Sequence, residues 1–220
     1  MKKLLSFVLV SVLLPVSCSA FADTVSWSTG SGFDITPDLF KSYFNMSWFS
    51  LRTEDLDYSG YDFIWDESTK SERGYKVYTA KNADPDINIK MYVKNNTVHM
   101  IYGDFCITSS DDAKATDSWF NAVSAVLVSS SFSLDPKLRL AIAFVPNAVS
   151  TSTKKMASHF KEISEDLSVS RYRSGVVLQN KSSDTTSYVL DIKLSDTNAS
   201  SPEMHIKMYM VSASGKLTVE

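Results

Sequence analysis

Few side chains in this 220-residue chain are suited to chemistry. His99, His159 and His205 are its three histidines, and none stands at the H-x-x-x-H or H-E-x-x-H spacing that sets two imidazoles around one metal ion. His205 and Met208 lie three apart in a segment that reads as a strand, so they point to opposite sides. Met204, Met208 and Met210 do share one side, as methionines do in some copper sites, but such a row also fills irregular core space, and core packing is the reading adopted. Cys106 could be a nucleophile with His99 or His205 as its base; with no local signature around it, a buried and unreactive thiol near a strand end is expected. Neither a metal centre nor a cofactor is expected.

The remaining motifs point the same way. G-x-S-x-G, G-x-G-x-x-G and the phosphate-binding loop are all absent, and seven glycines leave little material for a phosphate cradle. Glu54, Asp55, Asp84, Asp86, Asp111 and Asp112 fall where turns and helix starts need carboxylates. No acid and base pair is identified, so a non-enzymatic protein is expected.

The N-terminus reads Met1-Lys2-Lys3, then an apolar run from Leu4 to Val16, then small residues ending in Ala20-Phe21-Ala22. This is the order of a secretory signal peptide over residues 1–22, and the run is too short for a transmembrane anchor. Acylation at Cys18 is the competing reading; Pro15 stands where a lipoprotein signal normally has an aliphatic residue, so cleavage after Ala22 is favoured. The expected location is the periplasm. Removing residues 1–22 takes two lysines and no acids, moving the net charge from −3 to −5, which argues against nucleic acid as a partner. Only Cys106 remains in the processed chain, so the fold must stand without an internal disulfide.

A segment that occurs twice organises the rest. Residues 85–93 read Pro-Asp-Ile-Asn-Ile-Lys-Met-Tyr-Val and residues 202–210 read Pro-Glu-Met-His-Ile-Lys-Met-Tyr-Met, with five of nine positions identical. Ser59-Gly60 and Ser174-Gly175, and Phe40 to Phe44 against Met156 to Phe160, follow at nearly the same offset, which indicates a duplication. The expected fold is α+β: a tandem repeat of a helix plus a four-stranded antiparallel sheet, with one copy over 23–110, a helical connector over 111–149 and a second copy over 150–220. In the first copy Thr36 caps a helix with Pro37 at its first position, and strands are expected near 58–66, 74–80, 86–94 and 97–107. In the second, a helix near 152–166 precedes strands near 172–180, 187–195, 203–212 and 216–220.

These elements decide which side chains face outward. A two-residue turn at Asn95-Asn96 pairs Val93 with Val98, Met91 with Met100 and Ile89 with Tyr102 on a core side, leaving Lys90, Tyr92, His99 and Ile101 outside. The second copy puts Met204, Ile206, Met208 and Met210 inward and His205, Lys207 and Tyr209 outward. If the two sheets join, Lys90, Tyr92, His99, His205, Lys207 and Tyr209 form one surface, and tyrosine-rich surfaces suit protein recognition. The layout is similar in outline to small secreted inhibitor proteins that bind enzymes through the open face of two such repeats. The expected function is therefore an exported protein-binding protein, of inhibitor, immunity or envelope accessory type, whose partner is another envelope or secreted protein. The alternative is a periplasmic carrier of a small apolar ligand, held between helices and sheet by Met91, Met100, Met208 and Phe44.

Overall fold

The computed structural model describes residues 25–50, 64–67, 71–81, 87–107, 153–163, 167–172, 175–181, 186–194 and 203–219. The export segment, Glu54, Asp55, Asp84, Asp86 and the expected connector over 111–149 lie outside the described residues. Along the chain come β1 (Val25–Ser28), α1 (Pro37–Ser50), β2 (Ile64–Glu67), β3 (Lys76–Lys81), β4 (Ile87–Lys94) and β5 (Thr97–Ile107). They are followed by α2 (Thr153–Ile163), β6 (Leu167–Tyr172), β7 (Gly175–Asn180), β8 (Thr186–Leu194), β9 (Met204–Ser212) and β10 (Lys216–Val219).

Both helices owe their place to apolar side chains one turn apart. Thr36 caps α1, its hydroxyl accepting from the Leu39 amide at 3.3 Å while its carbonyl accepts from the Phe40 amide at 2.9 Å. Phe40 and Phe44 are fully buried and meet Trp65 of β2 edge-on, with ring centroids 6.0 and 5.7 Å apart. On α2 the equivalent anchors are Met156, Ala157 and Phe160, which bury the helix against β6 and β7.

Eight antiparallel strands form one sheet in the order β2-β3-β4-β5-β9-β8-β7-β6, so most of the described structure is sheet. Its two runs of four strands meet where β5 bonds to β9. The core lies between this sheet and the helices: Ile89, Met91, Ile101, Phe105, Ile192, Met204, Ile206, Met208 and Met210 are all fully or almost fully buried there with Phe40 and Phe160. Strand side chains alternate, so every second residue of β4 and β9 supplies this layer.

The expected second sheet needs correction in two places. The strand expected over 172–180 is β7, and a further strand, β6, precedes it, where Leu167-Ser168-Val169-Ser170 shows the alternation that marks the missed element. The stretch expected as the last strand, β10, leaves the sheet and pairs with β1, from Val25 opposite Val219 to Ser28 opposite Lys216. The described parts of the matching segments, 87–93 and 204–210, fall on strands in different positions, since β4 lies between β3 and β5 whereas β9 sits at the seam. What the two segments share is an alternation of core and outer side chains, which any strand with one buried face requires.

A bulge makes a further correction. Asn95 and Asn96 form the expected turn, both at positive φ (51° and 59°), and Val93 faces Val98. Beyond it the register shifts, so that Tyr92 faces Met100, Met91 faces Ile101 and Lys90 faces Tyr102. One extra residue on β5, at His99, flips every later side chain. Ile101 therefore enters the helix-covered core, while Met100 and Tyr102 go to the opposite face.

That opposite face is partly roofed by the ribbon of β1 and β10. Val25, Leu217, Val77, Tyr92, Met100, Val177, Val189 and Val211 make a second buried cluster beneath it. The chain leaving β1 is threaded close to its neighbours: Gly32, at φ 88°, runs against the Val98 carbonyl, where a side chain would meet backbone at 2.8 Å. Phe33 and Ile35 then exchange backbone hydrogen bonds with Val98, at 2.8 and 2.9 Å.

Candidate functional site

Cross-strand register arranges the polar side chains of the second face in rows. One row runs Lys90, Tyr102, Tyr209, Val189; the next runs Asn88, Asp104, Lys207, Asp191, Val177; the last runs Cys106, His205, Lys193, Gly175. Residues directly opposite one another share a face, so these groups converge on one surface. Asp104, Lys207, Cys106, His205, Lys193 and Tyr209 all remain half-exposed beyond the ribbon.

The electrostatics of the middle row alternate in sign. Lys207 is flanked in register by Asp104 on β5 and Asp191 on β8. Asp191 is only 3% exposed and accepts a hydrogen bond from the Tyr172 hydroxyl at 2.7 Å. The phenol reaches it by lying across Gly175, where any side chain would collide with the Tyr172 ring and the Ile192 carbonyl. Burial first, and then the hydrogen bond to Asp191, hold the Tyr172 hydroxyl protonated far above the ordinary tyrosine range.

Tyr102 donates to Asp104 at 3.1 Å, and its ionisation is suppressed mainly by burial, with the charge of Asp104 adding to it. The row that follows brings Cys106 Sγ to 3.8 Å from His205 Nε2, which lies 3.5 Å from a carboxylate oxygen of Glu203.

Of the six residues expected on the binding surface, four are placed there and two are not. Lys90, His205, Lys207 and Tyr209 stay half-exposed, with Lys90 paired to Glu72 at 3.5 Å. Tyr92 is buried, its ring 5.3 Å from Trp27 of β1 and its hydroxyl donating to Glu72 at 2.8 Å. His99 is 9% exposed, with Nδ1 3.2 Å from the Thr29 hydroxyl and its ring 5.5 Å from Tyr75. Tyr92 is withdrawn from the surface by β1 and His99 by Thr29, just after that strand, and by Tyr75, a packing that no local pattern announces. The expected apolar lining separates as well, because Met91, Met208 and Phe44 belong to the helix-covered core and Met100 to the other side.

Sequence reasoning missed Tyr102, Asp104, Asp191 and Glu203 at this surface. The one local signal was Asp191, a charge inside the otherwise apolar run Val189-Leu190-Asp191-Ile192, which requires a partner.

No helix among the described residues is long and apolar enough to cross a membrane. No protein-family model matches the chain, and neither a curated protein nor a solved structure matches it.

Proposed function

We propose that this chain is an exported, non-enzymatic protein that recognises another envelope or secreted protein through the uncovered end of its second sheet face. The observation that carries this reading is the split character of β9: Met204, Ile206, Met208 and Met210 are buried, whereas His205, Lys207 and Tyr209 stay half-exposed at the centre of an eight-stranded sheet. A central position on a broad sheet offers a firm platform, and a half-buried tyrosine among charges of both signs suits recognition of a polar protein surface. The symmetric strand order supports reading the two helix-then-meander halves as copies of one unit, with β5 and β9 as counterparts. The N-terminal segment supports export, with processing after Ala22.

A photo-crosslinking amino acid placed at Lys207, and at exposed Lys154 on α2 as a control, tests the surface in the producing cell. A discrete adduct from position 207 alone, in a product that begins at Asp23, is the expected result. Equal adducts from both positions, or none from 207, would remove this face from consideration.

A further inference from the structure

The row at the far end of the second face gathers three metal-ligating groups from two distant parts of the chain. Cys106, on β5, lies directly opposite His205, on β9, and Glu203, one residue before β9 begins, brings a carboxylate oxygen to the His205 ring. One ligand atom from each of the three, Sγ, Nε2 and a carboxylate oxygen, falls within 4.8 Å of the other two. The Cys106 Sγ to His205 Nε2 separation is 3.8 Å and the His205 Nε2 to Glu203 oxygen separation is 3.5 Å.

We propose that Cys106, His205 and Glu203 form a binding site for a transition-metal cation of the zinc(II) class, with a fourth position left for water or an incoming donor. In a tetrahedral zinc site, bond lengths of about 2.3 Å to sulfur and about 2.0–2.2 Å to nitrogen and oxygen set ligand edges of roughly 3.6 and 3.4 Å. The Cys106–His205 and His205–Glu203 separations exceed those edges by about 0.2 and about 0.1 Å, and the Cys106–Glu203 separation, within 4.8 Å, is the edge that side-chain rotation has to shorten. Glu203 is exposed, one residue before β9 begins.

The donor set also selects the ion. A thiolate with an imidazole favours zinc over calcium or magnesium, which require oxygen donors, and three protein ligands are the number that leaves an open position. Binding releases the thiol proton of Cys106 to solvent, so affinity should rise with pH. The site goes beyond the protein-recognition reading and stands without it.

Cobalt(II) titration of the metal-free processed protein tests the site. The expected signal is a thiolate-to-cobalt charge-transfer band in the near ultraviolet, together with visible bands of tetrahedral intensity, both discharged by one equivalent of zinc. Cys106→Ser keeps a hydrogen-bonding group beside His205 and should abolish the charge-transfer band with the far-ultraviolet circular dichroism unchanged. His205→Gln should weaken zinc binding at least tenfold, because even the groups that merely orient metal ligands are worth about 10–100-fold in affinity. A wild-type protein without the band would overturn the site and leave a thiol–imidazole contact beside a carboxylate. Unchanged zinc affinity in either variant would overturn it equally.

Discussion

Tyr102 and Tyr209 face each other directly across the seam between β5 and β9, their rings meeting edge to face with centroids 5.2 Å apart. They tie the two runs of four strands together on the side away from the helices. A pair in this geometry contributes about 0.5–1.5 kcal/mol beyond the area it buries. A double-mutant cycle with Tyr102→Leu and Tyr209→Leu, followed by urea denaturation, should give a coupling of that size. Additive effects would mean that the rings stabilise the seam only through burial.

His99 gives the fold a pH dependence. Burial holds its imidazole below the ordinary value of 6.5, against backbone hydrogen bonds at Lys94 and Gly30 that favour the cation; the charge of Lys94 works with burial. The unfolded chain therefore takes up a proton near that value that the folded chain resists. The contribution is fully present above the unfolded value and is lost as pH falls toward and through the folded one. Denaturation midpoints measured from about pH 7.5 down to about pH 5 should fall in the wild type, and less steeply in His99→Gln. Parallel curves for the two proteins would assign the slope to other groups.

Gly175 is required by contact rather than by backbone angle. An added methyl group would strike both the Ile192 carbonyl and the Tyr172 ring, which must lie there to reach Asp191. Gly175→Ala should cost about 1–3 kcal/mol, the usual range for overpacking a filled site. Thermal unfolding checks it, and an unchanged midpoint would show that Tyr172 can move aside without loss.

Much of this architecture is written locally. Thr36-Pro37 starts a helix because a hydroxyl cap and a proline fit its first turn, and Asn95-Asn96 forms a hairpin because asparagine tolerates positive φ. The alternation of Ile89-Lys90-Met91-Tyr92-Val93 and of Met204 to Met210 settles which side of each strand is core, since the period of two is a property of the extended chain. These are short-range constraints, and a single sequence states them fully.

What the tertiary structure alone decided depends on pairings between distant residues. A one-residue bulge at His99 exchanged the faces of Met100 and Ile101, and β10 left the sheet for β1, laying Trp27 over Tyr92. The meeting of Cys106 with His205, 99 positions apart, follows from which edge of β5 accepts β9. Backbone hydrogen bonding is indifferent to side-chain identity, so strand patterns determine the inward face but not the neighbour. The surface of this protein is a consequence of that choice of neighbour, made by burying the most apolar area over the whole chain.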